Sequence, residues 1–237
     1  MIASLSVFVD AIRFIGDHPG LLWDKTVEHV WLSAAAVGLA LGIAVPIGVG
    51  LGHLRRYSFV AISISNIGRA LPTLAVIAVG IVFLPVGFTV VLISLVVLAV
   101  PPILTNAYVS VSEIDADTVE AARGMGMTEW QILRRVELPL AAPLLFTGIR
   151  TAVVFVVASA TIAAVAGGGG LGEVIVNQAS YDIDGVIGAS ILVCLLAFAS
   201  DGVIALMQRL ATPRPLRGRH VTDAMLVAEH SEAAPDL

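Results

Sequence analysis

Long apolar runs separated by short polar segments set the organisation of this chain. Val30 to Gly52 holds no Asp, Glu, Lys or Arg, and about 20 apolar residues carry a helix across the hydrocarbon core of a bilayer. This is the first predicted span. Between Arg69 and Glu113 lie 43 uncharged residues, too many for one crossing, and Leu84-Pro85-Val86-Gly87 places a turn signal near their middle. Spans two and three are therefore predicted over Ile67 to Leu84 and Gly87 to Tyr108, a fourth over Ala142 to Ala166 and a fifth over Gly185 to about Gln208. Ahead of them, Leu5, Phe8, Ile12 and Ile15 recur at helical spacing among Asp10, Arg13 and Asp17, the pattern of an amphipathic helix on a membrane surface.

Composition agrees with a membrane solvent. The 237 residues are 58% hydrophobic and 13% charged, with a mean hydropathy of +0.97, whereas soluble domains carry about 25% charged residues. Aromatics make up only 6%; the rest of the apolar content is aliphatic and small, which lets membrane helices approach closely. The predicted fold is an all-α polytopic bundle of five transmembrane helices. The single cysteine, Cys194, sits in an apolar run and reads as a small core side chain. No grouping of side chains suggests a metal site.

Five spans put the termini on opposite sides, and basic residues near span ends are retained in the cytoplasm. With the C-terminus inside, Arg55, Arg56, Arg69, Arg123, Arg134, Arg135, Arg150, Arg209, Arg214, Arg217 and Arg219 lie at or near the inner face. That is 11 of the 13 basic residues, leaving Arg13 and Lys25 outside. The expected organisation is an extracytoplasmic segment over 1–28, a transmembrane domain over 29–212 and a polar cytoplasmic tail over 213–237.

The cytoplasmic loop from Val109 to Ala141 encodes two short helices. Asp117 with Glu120, and Thr128 with Gln131, each have the spacing of a capping box. Gly126 is placed to take positive φ and turn the first helix back on the second. Leu138-Pro139 is expected to end the second helix, because proline lacks an amide hydrogen and biases its predecessor away from helix. Met125, Met127, Trp130 and Leu133 are apolar residues suited to anchoring a partner, or to packing against the chain's own spans.

Glu120-Ala121-Ala122, then Gly126, then Val136, Leu138 and Pro139, resemble the "EAA" signature of bacterial ABC importer permeases, with Val136 in the usual isoleucine position. The resemblance implies a helix-turn-helix that docks in a groove of a separate ATPase, with Glu120 and Gly126 pivotal and Met125 and Trp130 at the contact. It extends from about His29 to Pro213 and is nearest to osmoprotectant permeases, through Arg69-Ala70-Leu71-Pro72-Thr73, Gly148-Ile149-Arg150-Thr151-Ala152 and Gly167-Gly168-Gly169-Gly170-Leu171-Gly172. Methionine-importer permeases share part of these motifs.

The partners implied are ABC ATPase subunits, a second permease subunit, identical or related, an extracytoplasmic solute-binding protein and membrane lipid, with no nucleic acid. No nucleotide-binding motif occurs in the sequence; ATP and Mg would be bound by the ATPase, so the chain itself is not read as an enzyme. The expected location is the bacterial inner membrane. The glycine run lacks the Lys-Ser/Thr ending of a phosphate loop and reads as a tight outer turn or re-entry.

Arg69, Arg150 and Asp201 read as snorkelling toward headgroups, with pairing of one arginine to Asp201 as the alternative. Arg69, Thr73, Asn106 and Thr161 are candidate translocation-path residues, although polar residues in membrane helices also bond back to their own backbone. The rival from another class is an ATP-independent secondary transporter or channel, for which the sequence offers neither a mid-membrane ion relay nor inverted repeats.

Overall fold

The computed structural model describes residues 2–55, 59, 63, 66 and 71–212. Helices α1 (Ile2–Asp17), α2 (Pro19–His53), α3 (Thr73–Phe83) and α4 (Phe88–Ser112) are followed by two short helices, α5 (Ala116–Gly124) and α6 (Glu129–Ile132). A π turn over Leu133–Glu137 leads into α7 (Leu138–Ala163), a 3-10 turn (Ala164–Ala166), α8 (Leu171–Val176) and α9 (Gln178–Ala211). No strand occurs among the described residues. The all-α expectation holds.

Four of these segments are long and apolar enough to cross a membrane: Pro19–His53, Phe88–Ser112, the continuous run Glu129–Ala166, and Gln178–Ala211. They coincide with predicted spans one, three, four and five. The second predicted span is seen over Thr73–Phe83, 11 residues or about 16 Å of helix, short of the ~30 Å hydrocarbon thickness. Residues 67–70, with which that span was to begin, lie outside the described residues, as does the 213–237 tail.

Helix α2 begins at Pro19, well before Val30. Charged residues stop an apolar run but not a helix, and proline at the first helical position has the required φ and loses no hydrogen bond. The added turns carry Asp24, Lys25 and Glu28 beyond the apolar stretch.

The core is a close meeting of α2, α4 and α7. On α2, Leu32, Ala36, Ala40, Ala44, Gly48 and Gly52 recur every four residues, and all are buried. Residues four apart lie on one face of a helix, so this row is a smooth seam. It meets Val91, Leu95, Ala99 and Ile103 of α4, and Ala152, Val156 and Ala160 of α7 lie in the same cluster. At Gly48 a Cβ would stand 2.6 Å from the Leu104 carbonyl oxygen, and at Gly52 2.7 Å from that of Tyr108. Backbone touches backbone there, the small-residue contact typical of membrane helices.

Helix α1 lies against α9, with Phe14 and Ile15 near Gly185 and Gly188 and Ala11 fully buried. Of the predicted amphipathic stripe, Ile15 packs inward, whereas Phe8 and Ile12 are exposed. Helix α9 contains one non-helical residue, Asp182 (φ 52, ψ −179), three residues before the predicted start of the fifth span.

Gly48→Leu or Gly52→Leu is expected to destabilise the bundle by about 1–3 kcal/mol through overpacking. Thermal unfolding in detergent reads this as a lowered midpoint. Gly50→Ala, whose Cβ would meet nothing within 4 Å, does not lower the midpoint.

Candidate functional site

The loop between α4 and α7 is built by local hydrogen bonding. The first helix starts two residues earlier than the Asp117/Glu120 spacing suggests: Asp115 is the N-cap, its carboxylate accepting the Asp117 N–H at 2.9 Å. Capping by the residue outside the first turn satisfies an amide that Asp117, already helical, could not reach in the same way. At the other end, Gly126 takes φ +83. Its N–H donates to the Arg123 carbonyl (2.9 Å), and the Met127 N–H donates to that of Ala122 (3.3 Å). This pair of bonds is a Schellman turn. The capping box at the second helix is present, with Thr128 N–H donating to Gln131 Oε1 at 2.9 Å and Gln131 N–H to Thr128 Oγ1 at 3.4 Å.

Val119, Ala122 and Ile132 form a small core between the two helices, with Met127 and Val136 against it. Arg123 donates twice to Glu129, at 2.9 and 3.2 Å, tying the helices together on their outer side; this carboxylate holds the Arg123 pKa above its ordinary value. The four apolar candidates divide. Met127 and Leu133 pack inward, while Met125 and Trp130 are 75% and 66% exposed beside the turn. Glu120 and Ala121 are exposed too. Glu120, Ala121, Met125 and Trp130 therefore lie on the outer surface of the loop, and Ala122, Val136 and Leu138 support it from within.

The expected helix stop at Leu138-Pro139 does not occur. The chain passes from α6 through the π turn into α7 without a break, as one run from Glu129 to Ala166. Within the wider turn the Leu138 N–H bonds the Leu133 carbonyl, five residues back. A π turn is a local widening of the helix that breaks the i to i−4 register, and Pro139 then sits in the first turn of the next segment, where its missing amide leaves no gap.

The π turn also buries Glu137, 2% exposed, against His53 at the end of α2, with Nδ1 to Oε2 2.6 Å. These residues are 84 apart in sequence, and no local pattern reveals the pair. Arg55 donates to the Ile114 carbonyl at 2.6 Å. The end of α2 is thus fastened to both ends of the loop.

The glycine run lies at the other end of α7. Gly167, Gly169 and Gly170 have positive φ, and Gly170 packs on His29. Lys25 of α2 bridges Glu28 at 3.2 Å and Glu173 of α8 at 2.5 Å. His29, fully buried, donates from Nε2 to the Val157 carbonyl at 3.0 Å. The run is a crowded turn held to α2 by charge.

Of the path candidates, Arg69 lies outside the described residues, and Thr73 opens α3. Asn106 donates to the Pro102 carbonyl (2.8 Å) and Thr161 to that of Ala158 (2.6 Å), each within its own helix. Both also form close contacts: Asn106 packs on Gly148, and the backbone of Thr161 on Gly172. Arg150 does not snorkel alone. It grips Asp201 with two bonds of 2.8 and 2.6 Å, joining α7 to α9.

A helical membrane bundle with such a loop is the architecture of an importer permease. The chain belongs to the family of binding-protein-dependent transport system inner membrane components, whose profile matches residues 38–213. It is 37% identical over 208 residues to a glycine betaine/carnitine/choline transport system permease protein of Bacillus subtilis, covering 87% of this chain and 96% of that one. It is 38% identical over 223 residues to an osmoprotectant import permease protein of Salmonella typhimurium, covering 88% and 100%. Among solved structures, an inward-facing MetNI methionine ABC transporter chain superposes with TM-score 0.72 at 24% identity, covering 81% of this chain and 97% of that one. That likeness is one of fold.

Gly126→Ala places a Cβ in left-handed backbone, which costs about 1–2 kcal/mol. Amide exchange across residues 116–132 is expected to quicken, while Gly124→Ala, in helical backbone with open space for a Cβ, slows it or leaves it unchanged. His53→Ala strips the buried Glu137 carboxylate of its partner, an expected loss of about 1–3 kcal/mol, read as a lower thermal midpoint in detergent.

Proposed function

We propose that this chain is the permease subunit of an ATP-driven importer for osmoprotectants of the glycine betaine, choline and carnitine type. The observation that carries the reading is the loop surface: Met125 and Trp130 exposed on either side of a Schellman turn, next to Glu120 and Ala121. Two large apolar side chains held in water by a rigid turn are anchors awaiting a groove. The ATPase supplies that groove and binds ATP and Mg. The osmoprotectant assignment is supported by the 37–38% identity to permeases named for those solutes.

In this reading two permease subunits, identical or related, enclose the path above two ATPase subunits, and an extracytoplasmic binding protein delivers solute. The N-terminus and the glycine turn face outward, and the loop and the C-terminus face the cytoplasm, as the placement of 11 of the 13 basic residues supports. Residues 29–212 form the transmembrane domain in the inner membrane, surrounded by lipid.

Proteoliposomes holding the permease, its ATPase and the matching binding protein are expected to take up labelled glycine betaine or choline only when ATP is enclosed. Trp130→Asp should cut copurification of the ATPase and uptake together by about tenfold or more, the weight of one interface hot spot. Methionine uptake in place of quaternary amines moves the chain to the methionine branch, and ATP-independent flux overturns the importer reading.

A further inference from the structure

On α7, Leu140, Leu144, Thr147, Thr151, Phe155, Ala158 and Ile162 recur at spacings of three and four, and all are exposed. One side of the helix is left uncovered by the described residues. Midway along it a cavity of about 480 Å³ opens, lined by Thr147, Arg150, Thr151, Phe155, Ala158 and Asp201. Arg150 and Asp201 are each about one third exposed, 38% and 34%, so their charged ends are accessible from it. Phe155 is 40% exposed. The hydroxyls of Thr147 and Thr151 are occupied, donating to the Pro143 and Thr147 carbonyls.

An ionised pair within an apolar span ordinarily marks a pathway for polar cargo. This pair has an unusual complement: a guanidinium fork, a carboxylate and an aromatic ring lining one cavity. A guanidinium takes a carboxylate by two parallel bonds. A quaternary ammonium has no hydrogen to donate and is held instead by an aromatic face and a nearby negative charge. We propose that Arg150, Asp201 and Phe155 form a transient subsite for zwitterionic solutes, which rests on the osmoprotectant reading and specifies it. The solute carboxylate displaces Asp201 on Arg150, and the trimethylammonium head settles between Phe155 and the freed Asp201 carboxylate. Each charge exchanges one partner for another, so the cargo passes without leaving an unpaired ion in the membrane. Exchange of this kind favours low affinity and quick release, as a path requires. No other charged side chain lines the cavity among the described residues.

The test compares uptake of glycine betaine, which carries both charges, with choline, which has no carboxylate, in proteoliposomes with one binding protein and one ATPase preparation. Arg150→Gln is expected to lower glycine betaine uptake about tenfold relative to choline, the weight of a charge-assisted contact. Asp201→Asn lowers both solutes, since each brings a cation. Phe155→Leu, which leaves the ion pair whole, also lowers both. An ion pair that acts only as a strut between α7 and α9 predicts equal losses for Arg150→Gln and Asp201→Asn, blind to the solute, and no loss for Phe155→Leu; that pattern overturns the site alone. Wild-type vesicles that take up methionine and neither quaternary amine overturn the osmoprotectant reading and the site with it.

Discussion

The approach of α2 to α4 is the contact on which the loop end of the molecule depends. The row from Leu32 to Gly52 has no side chain larger than methyl after its first member, and its last two members have none at all. Because Gly52 lies against the Tyr108 carbonyl, the next residue, His53, is brought to Glu137. Glu137 belongs to the π turn, and the π turn sets the direction of α6. A bulkier seam would move α2 outward and leave Glu137 buried without its imidazole, at the cost of an unpaired buried carboxyl group. Small residues far from the loop thus determine how the loop is held.

The loop itself is two constructions in one. Its inner side is a miniature core of Val119, Ala122 and Ile132, closed by a Schellman turn, a capping box and the Arg123–Glu129 pair. Its outer side presents Met125 and Trp130, both largely exposed among the described residues. The inner contacts fix the geometry, so little conformational freedom is lost when the outer side meets a partner. The absence of a break at Pro139 adds to this. The second helix of the loop is the first part of a span.

Features governed by neighbours in sequence were legible beforehand. Thr128 with Gln131, the positive φ of Gly126 and the apolar runs of four spans all follow from short-range chemistry. Errors arose where a local signal had two outcomes. Asp115 and Asp117 both fit an N-cap, and only the backbone path out of α4 decides for Asp115. Proline after leucine can end a helix or open its next segment, and the π turn selects the second. The Arg150–Asp201 pair, 51 residues apart, was open in the sequence as the alternative to snorkelling, whereas His53 and Glu137, 84 apart, gave no signal, because their meeting is a property of the bundle. The start of α2 at Pro19 was hidden because charge marks where a membrane begins and not where a helix does.

The unbroken run from Glu129 to Ala166 has a mechanical meaning. Its 38 residues at 1.5 Å each amount to a rod of about 57 Å. Pivoted at one end, such a rod turns a tilt of about 5° into a travel of about 5 Å at its tip, roughly one helical turn. Trp130 sits at one tip and the glycine turn at the other, tethered to α2 by Lys25. A small tilt on one side of a bilayer becomes a larger excursion on the other, and the π turn and Pro143 are points along the run where the hydrogen-bond ladder is interrupted.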